Sequence, residues 1–329
     1  MSSLRIKIIS AIAVILVVTG IGFFFTRQNS TAATNSNSSS SNTPIKLGYL
    51  PNANSLPFFT AQQKGFFKEQ NLNVELVEFA SSQLAIDAIT RGDIVGACCG
   101  ASFSAVNANL TSPNTLKLWF VSDERAESGY NGLVLNENIN LGSITDLENK
   151  KIGVQAGPLT SIFTAYLKSQ NLDTTKVSLI PIDPKDQLQA LQAGSVDGLF
   201  TFEPVLAQSE SKKIGKIYQR GQLGQLYPNP IMGAGYLAVN NKLEASTLNS
   251  LNQALNKAIE YNKTNSELAL RESASFLKVE PDLAAKIKKF DFYTINQTPV
   301  DELQRFTDFL TEIKIVKSKS EVKDLVYKL

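Results

Sequence analysis

The amino-acid sequence predicts an α/β fold of two doubly wound lobes joined by a two-strand hinge, and three observations carry that expectation. Strand-like and helix-like segments alternate, which implies sheets with parallel strands and right-handed crossovers. The alternation occurs twice, with matching residues in the same order. The C-terminal segment is mostly helical in pattern and holds no third copy, so its amphipathic faces need a sheet formed elsewhere to cover.

The first copy opens with the strand Ile45-Lys46-Leu47-Gly48-Tyr49. A helix follows that Asn54 or Ser55 can cap, with Pro57 in its first turn and Gly65 interrupting it before Phe66-Phe67. Gln70-Asn71-Leu72 leads into a strand over 74–79. Leu84, Ala88 and Ile89 have helical spacing, and Gly92 ends that helix. In the second copy Lys151-Ile152-Gly153-Val154 stands for the first strand, and Gln170-Asn171-Leu172 precedes a strand over 177–180. Leu188, Ala190, Leu191, Gly194, Val196 and Gly198 match Ile86, Ala88, Ile89, Gly92, Ile94 and Gly96 at one constant offset.

The connections set how the copies are joined. A strand over 116–121 runs into the polar stretch 122–129 and then a new strand over 132–135. Asp123 with Glu124 reads as loop charge, and Asp183 with Asp186 as charge at a helix start. Tyr227-Pro228-Asn229-Pro230 leads through Gly233-Ala234-Gly235 into a strand over 236–240. Helical patterns then cover 248–261, 267–276, 281–290 and 301–313. The expected division is lobe I at 44–125 and 235–329 and lobe II at 130–231, with the C-terminal helices packed on lobe I. Two crossings between two lobes leave a cleft with a hinge, suited to a small ligand.

In open parallel α/β sheets ligands bind beyond the carboxyl ends of the strands, where helix N-termini present free N–H groups. In lobe I those loops nominate Asn52, Asn54, Ser55 and Phe58, then Ser81 and Ser82, then Gly100, Ala101 and Ser102, then Ser122 beside Asp123. In lobe II they nominate Gly157, Thr160 and Ser161 beside Leu159, and Phe202 and Glu203 beside Pro204. Hydroxyls, glycine N–H groups and a few aromatics suit a neutral or anionic organic solute. Structural alternatives stand beside them. Asn54, Ser82 and Ser161 can serve as helix caps, and Gly100 and Gly157 as turn residues. Glu203, held out of the α-region by Pro204, can cap its own helix or pair with a lysine across the cleft, or accept N–H groups from a ligand. Phe58 and Phe202 belong either to the cores or to a stacking clamp between facing loops.

Composition narrows the chemistry. The 329 residues include no His, so no Ser-His-Asp or Cys-His nucleophile pair and no His-containing metal or haem site can form. There is no P-loop, G-x-G-x-x-G or EF-hand spacing. No catalytic residue, metal or cofactor is expected. With 32 Lys+Arg against 30 Asp+Glu, no nucleic-acid partner is expected either. The adjacent Cys98 and Cys99 read first as two small buried side chains and second as a redox-active pair.

Arg5 and Lys7 precede residues 8–26, an uncharged apolar run that reaches roughly 28 Å at about 1.5 Å per residue. That length favours a retained signal-anchor over residues 1–27, with a cleaved signal as the alternative. Residues 28–43 lack large apolar side chains and charge, and read as a Ser/Asn/Thr-rich disordered tether. The folded part is then expected outside the cytoplasmic membrane, tethered to it, or secreted if the segment is cleaved.

The chain resembles the solute-binding proteins of ABC importers, in the nitrate/sulfonate/taurine and thiamine-precursor group often called SsuA-like. The resemblance runs from residue 45 to about 310. It is carried by Gly48-Tyr49-Leu50-Pro51-Asn52, Ala61-Gln62-Gln63-Lys64-Gly65-Phe66-Phe67, the entry to lobe II from Leu147 through Lys151-Ile152-Gly153-Val154, and Val196-Asp197-Gly198 leading to Phe202-Glu203-Pro204. It implies a periplasmic-binding-protein-like (type II) bilobal Venus flytrap that captures a small solute. Its partners would be an ABC permease with its cytoplasmic ATPase, and it would act as a monomer. The chain departs from the family where Gly96 replaces a common acidic residue and where Phe202-Glu203-Pro204 replaces the Trp-Asp-Pro of sulfonate binders. The ligand classes implied are a sulfonate-like anion or an aminopyrimidine-like heterocycle whose N–H groups Glu203 accepts; nitrate and bicarbonate rank lower without His. Two enzymes share the look: a pyrimidine synthase that consumes a histidine absent here, and chorismate dehydratase, which is cytoplasmic. A ligand-sensing ectodomain is the remaining alternative.

Overall fold

The structure is a computed structural model that describes residues 43–127, 129–155, 158–288 and 290–328, the side chain of Cys99 excepted. The expected anchor, and all of the expected tether except Thr43, lie outside the described residues.

The first copy forms β1 (Ile45–Tyr49), α1 (Leu56–Gln63), α2 (Phe66–Glu69), β2 (Val74–Glu78), α3 (Ser82–Arg91), β3 (Gly96–Ala101), α4 (Ser102–Thr111) and β4 (Leu116–Asp123). After β5 (Asn131–Asn136), the second forms β6 (Lys151–Val154), α5 (Pro158–Ser169), β7 (Ser178–Pro181), α6 (Pro184–Gln192), β8 (Gly198–Phe202), α7 (Val205–Ser211), β9 (Gly215–Arg220) and α8 (Gln222–Leu226). The chain ends with β10 (Gly233–Ala238), α9 (Ala245–Glu272), α10 (Ala274–Leu277), α11 (Pro281–Ala284), β11 (Asp291–Tyr293) and α12 (Val300–Glu312).

The repeat survives in the backbone. Asn71 and Asn171 both take left-handed φ, 57° and 60°, and Gly92 and Gly194 do so at 79° and 68°. Each reversal ties the chain back to the helix it ends: Leu72 N–H donates to the Phe67 carbonyl at 3.0 Å and Leu172 N–H to that of Leu167 at 3.2 Å. Asparagine and glycine tolerate this conformation where a Cβ-branched residue would be strained, which is why they recur at matched positions.

Two sheets result, ordered β11-β4-β10-β3-β1-β2 and β7-β6-β8-β5-β9. The copied strands pair in parallel, whereas β10 runs antiparallel to β3 and β4, and β5 antiparallel to β8 and β9. Wholly parallel sheets were expected, and the exception has a geometric cause. Both β5 and β10 are entered from the other sheet, so each starts at the carboxyl edge of its neighbours and must run away from it. Asn131, the first residue of β5, accordingly lies opposite Phe202, the last of β8.

Ala97 and Cys98 are adjacent on β3 and so face opposite sides of the sheet, and each belongs to a different core. On the Cys98 side, Phe58, Phe59 and Phe67 pack with Leu251, Leu255 and Ile259 of α9. On the other, Ile86, Ile89 and Val106 pack with Leu303, Phe306 and Leu310 of α12. Enclosing each such side chain contributes about 1.5–3 kcal/mol. The C-terminal helices therefore cover the first sheet on both faces. In detail they differ from the sequence pattern. Asn265 kinks α9 without ending it, with φ −125° and its amide donating to the Tyr261 carbonyl at 3.1 Å. The expected helix over 281–290 stops at Ala284, because the chain turns to lay β11 along β4.

Candidate functional site

The carboxyl ends of the parallel strands, where a ligand is expected, gather at the double crossing between the sheets. On lobe I this edge carries Ser122, whose Oγ donates to Asn54 Oδ1 at 2.8 Å, and the buried Tyr236 hydroxyl, which donates to the Ala101 carbonyl at 2.7 Å. The Ser82 and Ser104 hydroxyls also bond the Tyr236 hydroxyl, whose pKa burial raises. Gly100 leaves room for this cluster, since a Cβ there would fall 2.2 Å from Ser82 Oγ. The structure thus brings Asn54, Ser82, Gly100, Ala101 and Ser122 together.

Several other nominated residues hold the frame instead. Asn52 Oδ1 caps the turn before α1 by accepting from Asn54 N–H at 3.1 Å, and Ser81 Oγ caps α3 by accepting from Leu84 N–H at 3.3 Å. Ser55, fully buried, donates to the Cys98 carbonyl at 3.1 Å. Ser102 donates to the Ile231 carbonyl at 2.6 Å, fastening α4 to the return crossing. The clamp of Phe58 with Phe202 is not formed. Phe58 is enclosed among Trp119 and Phe120 at 5.9 and 6.0 Å, because α1 presents it to the core. Phe202 is half-buried, 5.5 Å from the Tyr130 ring. Thr160 is half-buried and Ser161 exposed near the start of α5, and Gly157 lies outside the described residues. Cys98 is buried and disulfide-bonded, not the plain buried thiol first read from the sequence.

Glu203 is buried with both oxygens engaged: Oε1 accepts from Arg220 Nη1 at 2.7 Å, and Oε2 from the Ala207 N–H of α7 at 3.0 Å. Burial raises its pKa, against the pull of the Arg220 charge and hydrogen bonds. It caps its own helix, as one reading of the sequence had it, and its cation is an arginine of its own lobe, not a lysine across the cleft.

Two functional candidates, Arg220 and Glu124, escaped the sequence reading, and Asp123, offered with Ser122 at the cleft edge, was also read as loop charge. Arg220 ends β9, which holds the place in the second sheet that β4 holds in the first; its Nη1 also donates to the Gly129 carbonyl at 2.7 Å, and its side chain keeps 24% exposure. Asp123 and Glu124, read as loop charges, are buried at 1% and 0%. Asp123 accepts from Arg125 Nε at 2.9 Å and from the Tyr293 hydroxyl at 2.8 Å, and burial still raises its pKa. A polar stretch between strands gives no local signal of burial, since the elements that enclose it come from far along the chain. Among the described residues no group of three or more His, Cys, Asp or Glu is placed to hold a metal ion.

Residues 52–269 match the family described as NMT1/THI5 like, and the chain belongs to that family. A putative aliphatic sulfonates-binding protein of Bacillus subtilis is 24% identical over 82% of each chain. A putative thiamine biosynthesis protein of Haemophilus influenzae is 25% identical over 72% of this chain and 80% of its own. The periplasmic aliphatic sulphonate binding protein SsuA of Escherichia coli shares the fold with TM-score 0.68 at 15% identity, over 87% of this chain and 98% of its own. The periplasmic nitrate-binding protein NrtA of Synechocystis PCC 6803 does so at 0.69 and 15%, over 86% and 85%. The desulfurization enzyme DSZB does so at 0.64 and 15%, over 85% and 96%. The type II bilobal fold expected from the sequence is therefore the fold of this chain, and it is one that binding proteins and an enzyme share.

Proposed function

We propose that the chain is the extracytoplasmic solute-binding component of an ABC importer, closing its lobes on one small organic anion of the sulfonate kind. Arg220 carries this reading. Its Nη1 is committed to Glu203 and Gly129, which holds the guanidinium at the carboxyl end of β9 and leaves Nε and Nη2 to meet an oxyanion. The Asn54–Ser122 and Ser82–Tyr236 pairs on the opposite lobe supply neutral polar groups for the rest of the solute. Because both Glu203 oxygens are already bonded, the sequence argument for an aminopyrimidine loses its acceptor. The names of the binding-protein relatives support the anion class. The solute would pass to a membrane permease driven by a cytoplasmic ATPase, with residues 1–27 as anchor, residues 28–43 as tether and the binding unit monomeric.

A thermal-shift screen against alkanesulfonates, amino-sulfonic acids, nitrate and aminopyrimidines tests it. A ligand at about 100 times its dissociation constant adds roughly 2.7 kcal/mol. A shift with sulfonates that Arg220→Gln abolishes is the expected result. Shifts with aminopyrimidines alone, or turnover of any compound, would overturn it.

A further inference from the structure

Glu124 lies on the first crossing between the sheets, directly after β4. Its backbone N–H donates to the Pro230 carbonyl on the return crossing at 2.9 Å. Its Oε1 accepts from the Asn131 N–H at 2.9 Å and from the Asn131 side-chain amide. Among the described residues the buried Oε2 has no hydrogen-bond partner, and neither has a second buried oxygen, Gln222 Oε1, on the return crossing. Asn131 stands between them, its carbonyl accepting from Gly221 N–H at 2.9 Å and its Oδ1 from Leu223 N–H at 3.3 Å. Both crossings thus converge on one asparagine, and each brings a buried acceptor without a donor.

An ionised carboxylate in that setting keeps its charge and its unmet lone pairs out of water, which is costly. A proton on Oε2 removes the charge and turns one orphan acceptor into a donor. We propose that Glu124 makes the hinge proton-linked: its carboxyl is neutral while the two crossings are packed on it, and ionises when hinge motion parts them and water reaches Oε2. The surrounding groups fit this role. On its own segment Asp123 repels the ionised form, and Arg125 is engaged with Asp123. From β5 come Asn131, whose hydrogen bonds favour ionisation, and the buried Tyr130, which faces both Glu124 and Glu203; Glu203 is paired with Arg220. The return crossing from 221 to 232 carries no charged residue. Burial outweighs the Asn131 bonds and pushes Glu124 up to about 8.

The consequence is directional. The packed hinge binds a proton that the parted hinge gives up, so raising the pH through that value favours the open lobes. This rests on the double crossing and not on which solute binds, so failure of the anion reading leaves it standing. The test uses the full chain with one spin label on each lobe and no ligand. The inter-lobe distance is expected to lengthen as pH rises through about 8, and Glu124→Gln to hold the shorter distance throughout. An identical transition in Glu124→Gln would overturn the proposal. Should that variant not fold, difference infrared spectroscopy of the wild type reads the carboxyl directly. Loss of a protonated-acid band in step with opening supports the linkage; a Glu124 already ionised near the ordinary glutamate value of 4.5 refutes it.

Discussion

Arg220 Nη1 lies 2.7 Å from Glu203 Oε1, and the two residues close lobe II around an ion pair whose carboxylate side chain is fully buried. Removing one partner of such a pair leaves an uncompensated charge, at a cost of about 3–5 kcal/mol. Arg220→Met is therefore expected to lower unfolding stability strongly. Glu203→Gln, which retains an acceptor for the Ala207 N–H, should lose less. The double variant Arg220→Met, Glu203→Gln should be more stable than the two single losses sum to. Urea titration of the four proteins measures the coupling, and strictly additive losses would deny that the pair acts as one unit.

A different readout separates recognition from stability at the same pair. Arg220→Lys preserves a positive charge but loses the planar fork that meets an oxyanion at two points. On the anion reading, sulfonate affinity should fall about tenfold or more, which corresponds to at least ~1.4 kcal/mol. Glu203→Gln should change affinity less than it changes melting temperature, because its oxygens face Arg220 and α7. Calorimetric titration checks both. A larger affinity loss in Glu203→Gln than in Arg220→Lys would return Glu203 to the ligand.

The division between what the chain announced and what it concealed follows the range of the interactions. Asn71, Asn171, Gly92 and Gly194 were legible because a left-handed turn restricts the residue that makes it, whatever surrounds it. The amphipathic helices of the C-terminal segment were legible for the same local reason. Arg220 on Glu203 and the burial of Glu124 were not, and for Phe58 the sequence left core and clamp both open. The N–H of Glu124 is bonded by Pro230, far along the chain, and no pattern within the stretch 122–129 records that it will be enclosed. Edge strands β9 and β11 were missed because their pairing with β5 and β4 outweighs weak strand propensity.

Trp119 is the chain's single tryptophan, buried in lobe I with its Nε1 donating to Asn252 Oδ1 of α9. Asn252→Leu strands that indole donor and should cost about 1–3 kcal/mol. Trp119→Phe removes the donor but leaves the Asn252 oxygen unmet. The double variant should be less destabilised than the sum, by chemical denaturation followed in far-ultraviolet circular dichroism. A full sum would mean that the hydrogen bond does not contribute.

Gly96 stands where the family resemblance places an acidic residue. A Cβ at this position would fall 2.6 Å from the Tyr236 carbonyl and 3.1 Å from the Trp119 ring, so no side chain fits without displacing β10. Gly96→Ala is expected to destabilise by about 1–3 kcal/mol through overpacking. Gly142→Ala is the control, because its Cβ would meet nothing closer than Asp146 Oδ2 at 3.4 Å and its φ is not left-handed. It should be neutral or gain up to about 1 kcal/mol from a less flexible unfolded chain. Equal melting temperatures for the two variants would show that β10 yields at no cost.

Stability should itself fall between mildly acid and alkaline pH, and the sign follows from which state holds the proton. Glu124 is raised from 4.5 to about 8 in the folded chain, so between those values the folded state binds a proton that the unfolded state has released. Folding is then favoured at the acid end of that window, and the advantage is lost as pH climbs through about 8. Asp123 and Glu203, also raised by burial, add to the same trend. Asp146 and Asp173 act oppositely, because hydrogen bonds from Ser143 and Thr175 lower them; their contribution is lost only in acid. Melting temperature should accordingly peak at mildly acid pH. Glu124→Gln should flatten the alkaline side of that curve while leaving the acid side in place, and an unchanged alkaline slope would assign the titration to another group.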